Sequence, residues 1–101
     1  MIIQSKQYRQ FEKDCGYILQ LYKTSPINYP INLKATFYVP DKRKRDLTNL
    51  ENAIADILVK YGILEDDNYN IIDNWDGSRI IYQKGVEKTI IEINKAEVSI
   101  Q

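Results

Sequence analysis

Between Ile31 and Val39 apolar and polar side chains alternate without a slip. Ile31, Leu33, Ala35, Phe37 and Val39 fall on one side, and Asn32, Lys34, Thr36 and Tyr38 on the other. A period of two marks a half-buried strand, and Pro40, which lacks an N–H, ends it. Soon afterwards the period changes. Leu47, Leu50, Ile54, Ile57, Leu58 and Tyr61 recur at helical spacing and predict a helix over about 47–61. Asp46 stands at its N-cap position and Gly62 at its C′ position. A strand with one apolar face and a helix with one apolar stripe must cover each other, which points to a sheet packed by helices.

The flanking segments fit that frame. Ser5 is a reasonable N-cap, and Tyr8, Phe11, Cys15, Ile18, Leu19 and Tyr22 predict a first helix over about 5–22, weakened by Gly16. Before it, Ile2-Ile3 either ends a strand or anchors the terminus. Pro26 and Pro30 punctuate a loop. Tyr69 to Trp75 reads as a strand, Asp76-Gly77-Ser78 as a turn, Arg79 to Gln83 as a strand and Glu87 to Ile93 as the last strand. The expected order is α-β-α-β-β(β). It gives an α+β fold with a small mixed, mostly antiparallel sheet packed with two helices, in one domain spanning all 101 residues.

Several chemistries are excluded by what the chain lacks. It has no histidine, which removes imidazole acid–base catalysis, Ser-His-Asp triads and most zinc sites. Its one cysteine, Cys15, cannot form an internal disulfide and is expected to pack as a small apolar residue in a reducing cytoplasm. No signal peptide or membrane-spanning apolar run is visible. Any enzyme built on this chain would rely on carboxylates and a cation held by oxygen ligands. The formal net charge is zero, so affinity for nucleic acid must come from a local patch; residues 42–45 hold four of the chain's 14 cations.

That patch opens the stretch from Pro40 to Asp67, which carries charge at both ends of the helix. Lys42, Arg43, Lys44 and Arg45 are either a solvated charge run or a phosphate cradle. Cations before a helix N-terminus oppose the macrodipole, so stability alone would not select them there, whereas phosphate binding would. Asp46 is either a cap or a metal ligand, and a capping carboxylate keeps spare lone pairs for both. Glu65, Asp66 and Asp67 are either a polar turn or an acidic cluster whose repulsion a bound Mg²⁺ would offset. Asp73 interrupts an otherwise apolar strand and is a further candidate, whereas Asp76 fits the Asp-Gly turn. Tyr38, Trp75 and Tyr82 either stack on bases or pack on the sheet. The helix is ~20 Å long, and Gly62 to Asp67 spans ~20 Å when extended. Asp46 and Asp67 of one chain therefore meet only if the chain doubles back along the helix; otherwise a shared site forms between two subunits.

The segment PDKRKRDLTNLENAIADILVKYGILEDDNYNII resembles the signature region of the RusA family of Holliday junction resolvases. That pattern has a basic run, Asp-Leu-Asp-Asn-Leu, an apolar helix, a Gly and an Asp-Asp pair. Asp46 falls on the first catalytic aspartate, Asp67 on an aspartate of the terminal pair, and Asn49 and Leu50 also match. Weaker similarity extends over about residues 5–93. The resemblance implies a homodimer from a phage or prophage, working in the cytoplasm of a bacterial host. It also implies Mg²⁺- or Mn²⁺-dependent nicking of branched DNA, with Asp46 and Asp67 catalytic, Asp46, Asp66 and Asp67 on the metal, and residues 42–45 on phosphate.

Three departures qualify it. Thr48 stands where the family usually has its second aspartate, which leaves Asp66 or Asp73 to compensate. Asn52 replaces a common lysine. The chain also starts late, without the usual N-terminal strand and Pro/Asn-rich loop. The alternative is a catalytically impaired relative that binds nucleic acid or a host nucleoprotein and inhibits it without cleavage; a purely structural or toxin–antitoxin-like role is the remaining option.

Overall fold

The computed structural model describes residues 1–5, 11, 13, 14, 17 and 25–96. Its elements are β1 (Ile2–Ser5), β2 (Ile31–Val39), α1 (Leu47–Lys60), β3 (Ile72–Asn74), β4 (Arg79–Tyr82) and β5 (Lys88–Lys95). The fold is α+β with a mixed, mostly antiparallel five-stranded sheet. Strand β5 runs antiparallel between β1 and β2, with Ile3 opposite Ile91 and Ala35 opposite Ile91 on its two sides. Strands β3 and β4 lie end to end along the other edge of β2, both parallel to it. The parallel pairing follows from the α1 crossover, since a chain that leaves β2, runs back as a helix and returns must re-enter in the same direction.

Strand β2 keeps the bounds its alternation predicts, and its burial alternates residue by residue. Its inward side chains meet Ile3, Ile91 and Ile93 from the neighbouring strands and Ile54, Ala55 and Leu58 from α1 in one apolar core. Fully burying one such side chain stabilises the fold by about 1.5–3 kcal/mol. Helix α1 ends in a Schellman motif: Gly62 N–H donates to Val59 O at 3.0 Å and Ile63 N–H to Leu58 O at 2.9 Å. Gly62 takes the left-handed φ of 74° that this motif requires.

Two expectations change at the N-terminus. Ser5 closes β1, opposite Thr89; a cap residue is itself extended, so its backbone suits either role. The chain therefore begins with a strand, and the order starts with β rather than α. Of the helix expected over about 5–22, Phe11, Lys13, Asp14 and Tyr17 are helical, and Phe11 is fully buried. The rest of that segment, with Cys15, lies outside the described residues. The strand expected over 69–75 shortens to Ile72–Asn74. Asn68 O accepts the N–H groups of both Ile71 and Ile72, and this turn consumes donors a longer strand would need.

The gap between β3 and β4 leaves part of the β2 edge without a ladder partner, and side chains fill it. Ser78 Oγ accepts the Ala35 N–H at 2.9 Å and donates to Leu33 O at 3.3 Å. Asn32 Oδ1 accepts the Asp76 N–H at 2.9 Å. The Trp75–Ser78 turn that places these groups needs Gly77 at φ 86°, where a Cβ would stand 3.2 Å from Lys34.

Candidate nucleic-acid and metal site

The four cations at 42–45 are not four equivalent solvated charges. Asp41 organises them. Its carboxylate accepts the Arg43 N–H at 3.0 Å and the Arg43 Nε at 3.2 and 3.1 Å, and it pairs with Arg45 Nη2 at 3.0 Å. Arg45 Nη1 donates in turn to Asp41 O at 3.2 Å and Arg43 O at 3.1 Å. The Arg45 side chain is only 20% exposed, against 79% for Arg43. Hydrogen bonds from the Arg43 side chain and backbone, and then from Arg45, hold the Asp41 carboxyl down to about 2. The same contact raises the Arg43 guanidinium. Lys42 lies over the Tyr82 ring at 5.3 Å and Lys88 over the Tyr38 ring at 5.7 Å. Tyr82 is 47% exposed, while Trp75 packs against the core.

Asp46 begins α1 as its N-cap, accepting the Thr48 N–H at 2.9 Å. It is exposed, as are Thr48 and Asn49. The capping and ligand readings therefore remain compatible: one carboxylate oxygen is used on the backbone, at a surface position. Glu51, one turn on, is pushed up by burial.

The other acids lie beyond the far end of the helix. Glu65 N–H donates to Ile27 O at 2.9 Å, fixing the chain near the start of β2. Asp66 then forms a tight local turn, accepting from Asp67 N–H at 2.7 Å and Asn68 Nδ2 at 3.1 Å, and these bonds lower its carboxyl. Asp73 accepts from Asn74 Nδ2 at 2.8 Å, and Asp76 sits in the turn beside Asn32. Segment 62–67 therefore does not double back along α1. The 14-residue helix, ~21 Å long, lies between Asp46 and the Asp66–Asp67 pair. Among the described residues no three acids gather into a group that would hold a metal.

Charge is unevenly spread along β2. Its C-terminal end carries residues 42–45, together with Lys84, whose turn is tied to Val39 and Pro40, and Lys88, against Asp41, Asp46 and Glu87. Its N-terminal end carries Glu65, Asp66, Asp67, Asp73 and Asp76, against Lys95 opposite Ile31 and Lys60 in the last turn of α1.

The family model for Endodeoxyribonuclease RusA matches residues 1–99. This chain belongs to the RusA family. The crossover junction endodeoxyribonuclease RusA of Aquifex aeolicus (strain VF5) is 33% identical over 72 residues, covering 71% of this chain and 55% of that protein. The chain spans about half the length of that curated relative. The RusA match includes β1 and so reaches beyond the 5–93 similarity carried by the motif. No helix among the described residues is long and apolar enough to cross a membrane.

Asp41 was not singled out by the sequence pattern. Its only signal is its spacing of two and four residues from Arg43 and Arg45, and that spacing brings the groups together only in a loop that curls back on itself.

Proposed function

We propose that this RusA-family protein is an endodeoxyribonuclease of the Holliday junction resolvase type, acting on branched DNA in the cytoplasm of a bacterial host. The observation that carries the reading is the Asp41–Asp46 loop. Two arginines held by one carboxylate and two flanking lysines stand directly before a helix N-terminus capped by an exposed acid. Cations in fixed positions orient phosphates, and holding the arginines in advance lowers the entropy cost of binding.

Carboxylate oxygens are suitable donors for Mg²⁺ or Mn²⁺. The described residues of one chain do not bring three of them together, however. The charge polarity supports a two-fold homodimer in which the acidic turn of one protomer lies against the basic loop of the other. Asp46 would then share a site with Asp66 and Asp67 of the partner subunit, with Asp73 as a further acid.

A labelled four-way junction incubated with Mg²⁺ tests the reading. Symmetric nicking that Asp67→Asn abolishes is the expected result; no cleavage, or cleavage indifferent to that change, rejects it. One observation favours a second reading. Thr48 puts an exposed hydroxyl where the family usually has an acid. A protein that binds DNA or a host nucleoprotein without cutting would bind independently of Mg²⁺, survive Asp46→Asn and Asp67→Asn, and fail on charge reversal at 42–45.

A further inference from the structure

Beside the basic loop the surface opens into a cavity of about 230 Å³, lined by Phe37, Val39, Pro40 and Leu50, with Arg43, Arg45 and Glu87 among its walls. The apolar lining has a clear origin. Phe37 and Val39 are inward positions of β2, and Leu50 comes from the first turns of α1, packed against the same core. The cavity therefore lies between the sheet and the helix N-terminus, at the end of the molecule where the cations collect.

The geometry points to a receptor for a single unstacked nucleobase at a DNA branch point. This rests on the proposal that branched DNA is the substrate and adds how the branch is recognised. Size is the first reason: the volume falls below the ~300–1,000 Å³ of sites for drug-sized ligands, which suits one planar heterocycle and not a whole nucleotide. The second reason is the surface chemistry. A base has apolar faces that apolar and guanidinium surfaces stack on; Leu50 and the arginines supply both, above a floor formed by the buried Phe37 and Val39. The third is the fixing of the walls. Arg45 is held by two carbonyls and a carboxylate, and Arg43 by the same carboxylate. The backbone phosphate of the inserted nucleotide would sit on the exposed Arg43 at the rim. Base pairs at the crossover of an open four-way junction lack a stacking neighbour on one side and cost less to open than pairs inside a duplex, so such a cavity discriminates a junction from a duplex without reading sequence.

A four-way junction carrying 2-aminopurine at its crossover, bound without Mg²⁺, tests this, with an unbranched duplex of the same label as control. The expected result is a fluorescence change on the junction alone. Leu50→Trp, which fills the cavity, should weaken junction binding tenfold or more and leave duplex binding within twofold. Because a tryptophan there can disturb the core, methyl NMR of the unsubstituted protein with a nucleoside 5′-monophosphate gives an independent measurement, and Val39 and Leu50 should shift together. Unchanged 2-aminopurine fluorescence and unmoved methyls overturn the base receptor. Junction cleavage with that outcome leaves the nuclease reading standing, whereas a fluorescence change without cleavage does the reverse.

Discussion

Asp41 takes the Arg43 side chain with both carboxylate oxygens, at 3.2 and 3.1 Å from Nε, and accepts the same residue's backbone N–H at 3.0 Å. Asp41 thereby shapes the loop that carries the cations. Its carboxyl titrates at about 2, below the ordinary 3.8. The folded state therefore prefers the charged form. That contribution is fully present above about pH 4 and is lost as the pH falls from 3.8 through about 2. Carboxyl NMR should give an Asp41 midpoint near 2 and show the Arg43 and Arg45 signals collapsing together with it. A midpoint at the ordinary value contradicts the arrangement.

Removing Asp41 should separate affinity from discrimination. In Asp41→Ala the arginines gain freedom and lose a competing anion, so duplex binding is expected to strengthen and to steepen with salt by about one phosphate contact. Preference for junction over duplex should fall. Filter binding across a salt series measures both, and an unchanged preference argues against a pre-positioned loop.

Asp46 has two roles that different substitutions can pull apart. Asp46→Ala loses the bond to the Thr48 N–H and should destabilise the fold by about 1 kcal/mol. Asparagine caps nearly as well, so Asp46→Asn should leave urea unfolding almost unmoved. Under the proposed function both variants lose junction cleavage. An active Asp46→Asn would leave the residue as a cap alone.

Ser78 carries a prediction about the fold. Its hydroxyl serves both Ala35 N–H and Leu33 O on the open stretch of the β2 edge. Ser78→Ala leaves those partly buried groups without that partner and should cost about 1–3 kcal/mol, seen as a lower urea midpoint with an unchanged slope. A change within a few tenths of a kcal/mol would show that water replaces the hydroxyl.

The elements that local periodicity dictates were legible in the sequence. The bounds of β2, the start of α1 at an aspartate cap, its end at Gly62 and the turn at Gly77 all follow from residue type and spacing. Pairing was less legible. A period of two places residues on a face but does not say that β3 and β4 share one edge of β2 in parallel. Strand β1 has four residues, too few for alternation to declare itself. In the candidate site, Asp46 and the acidic turn could be named, whereas the Asp41 grip and the Leu50 cavity depend on how a loop curls and what it covers. Spacing left open whether segment 62–67 returns along α1; the Asp66 turn and the Ile27 anchor answer that within one chain.

The central claim is a junction-cutting site completed by two chains, and subunit complementation tests it most directly. Asp46→Asn and Asp67→Asn chains are each expected to be inactive alone on a four-way junction with Mg²⁺. Co-expressed and purified as a mixed dimer, they would hold one intact site, with Asp46 from one chain and Asp67 from the other, and should nick one strand. A mixed dimer as inactive as its parents would contradict the account, because a site contained in each chain is broken in both.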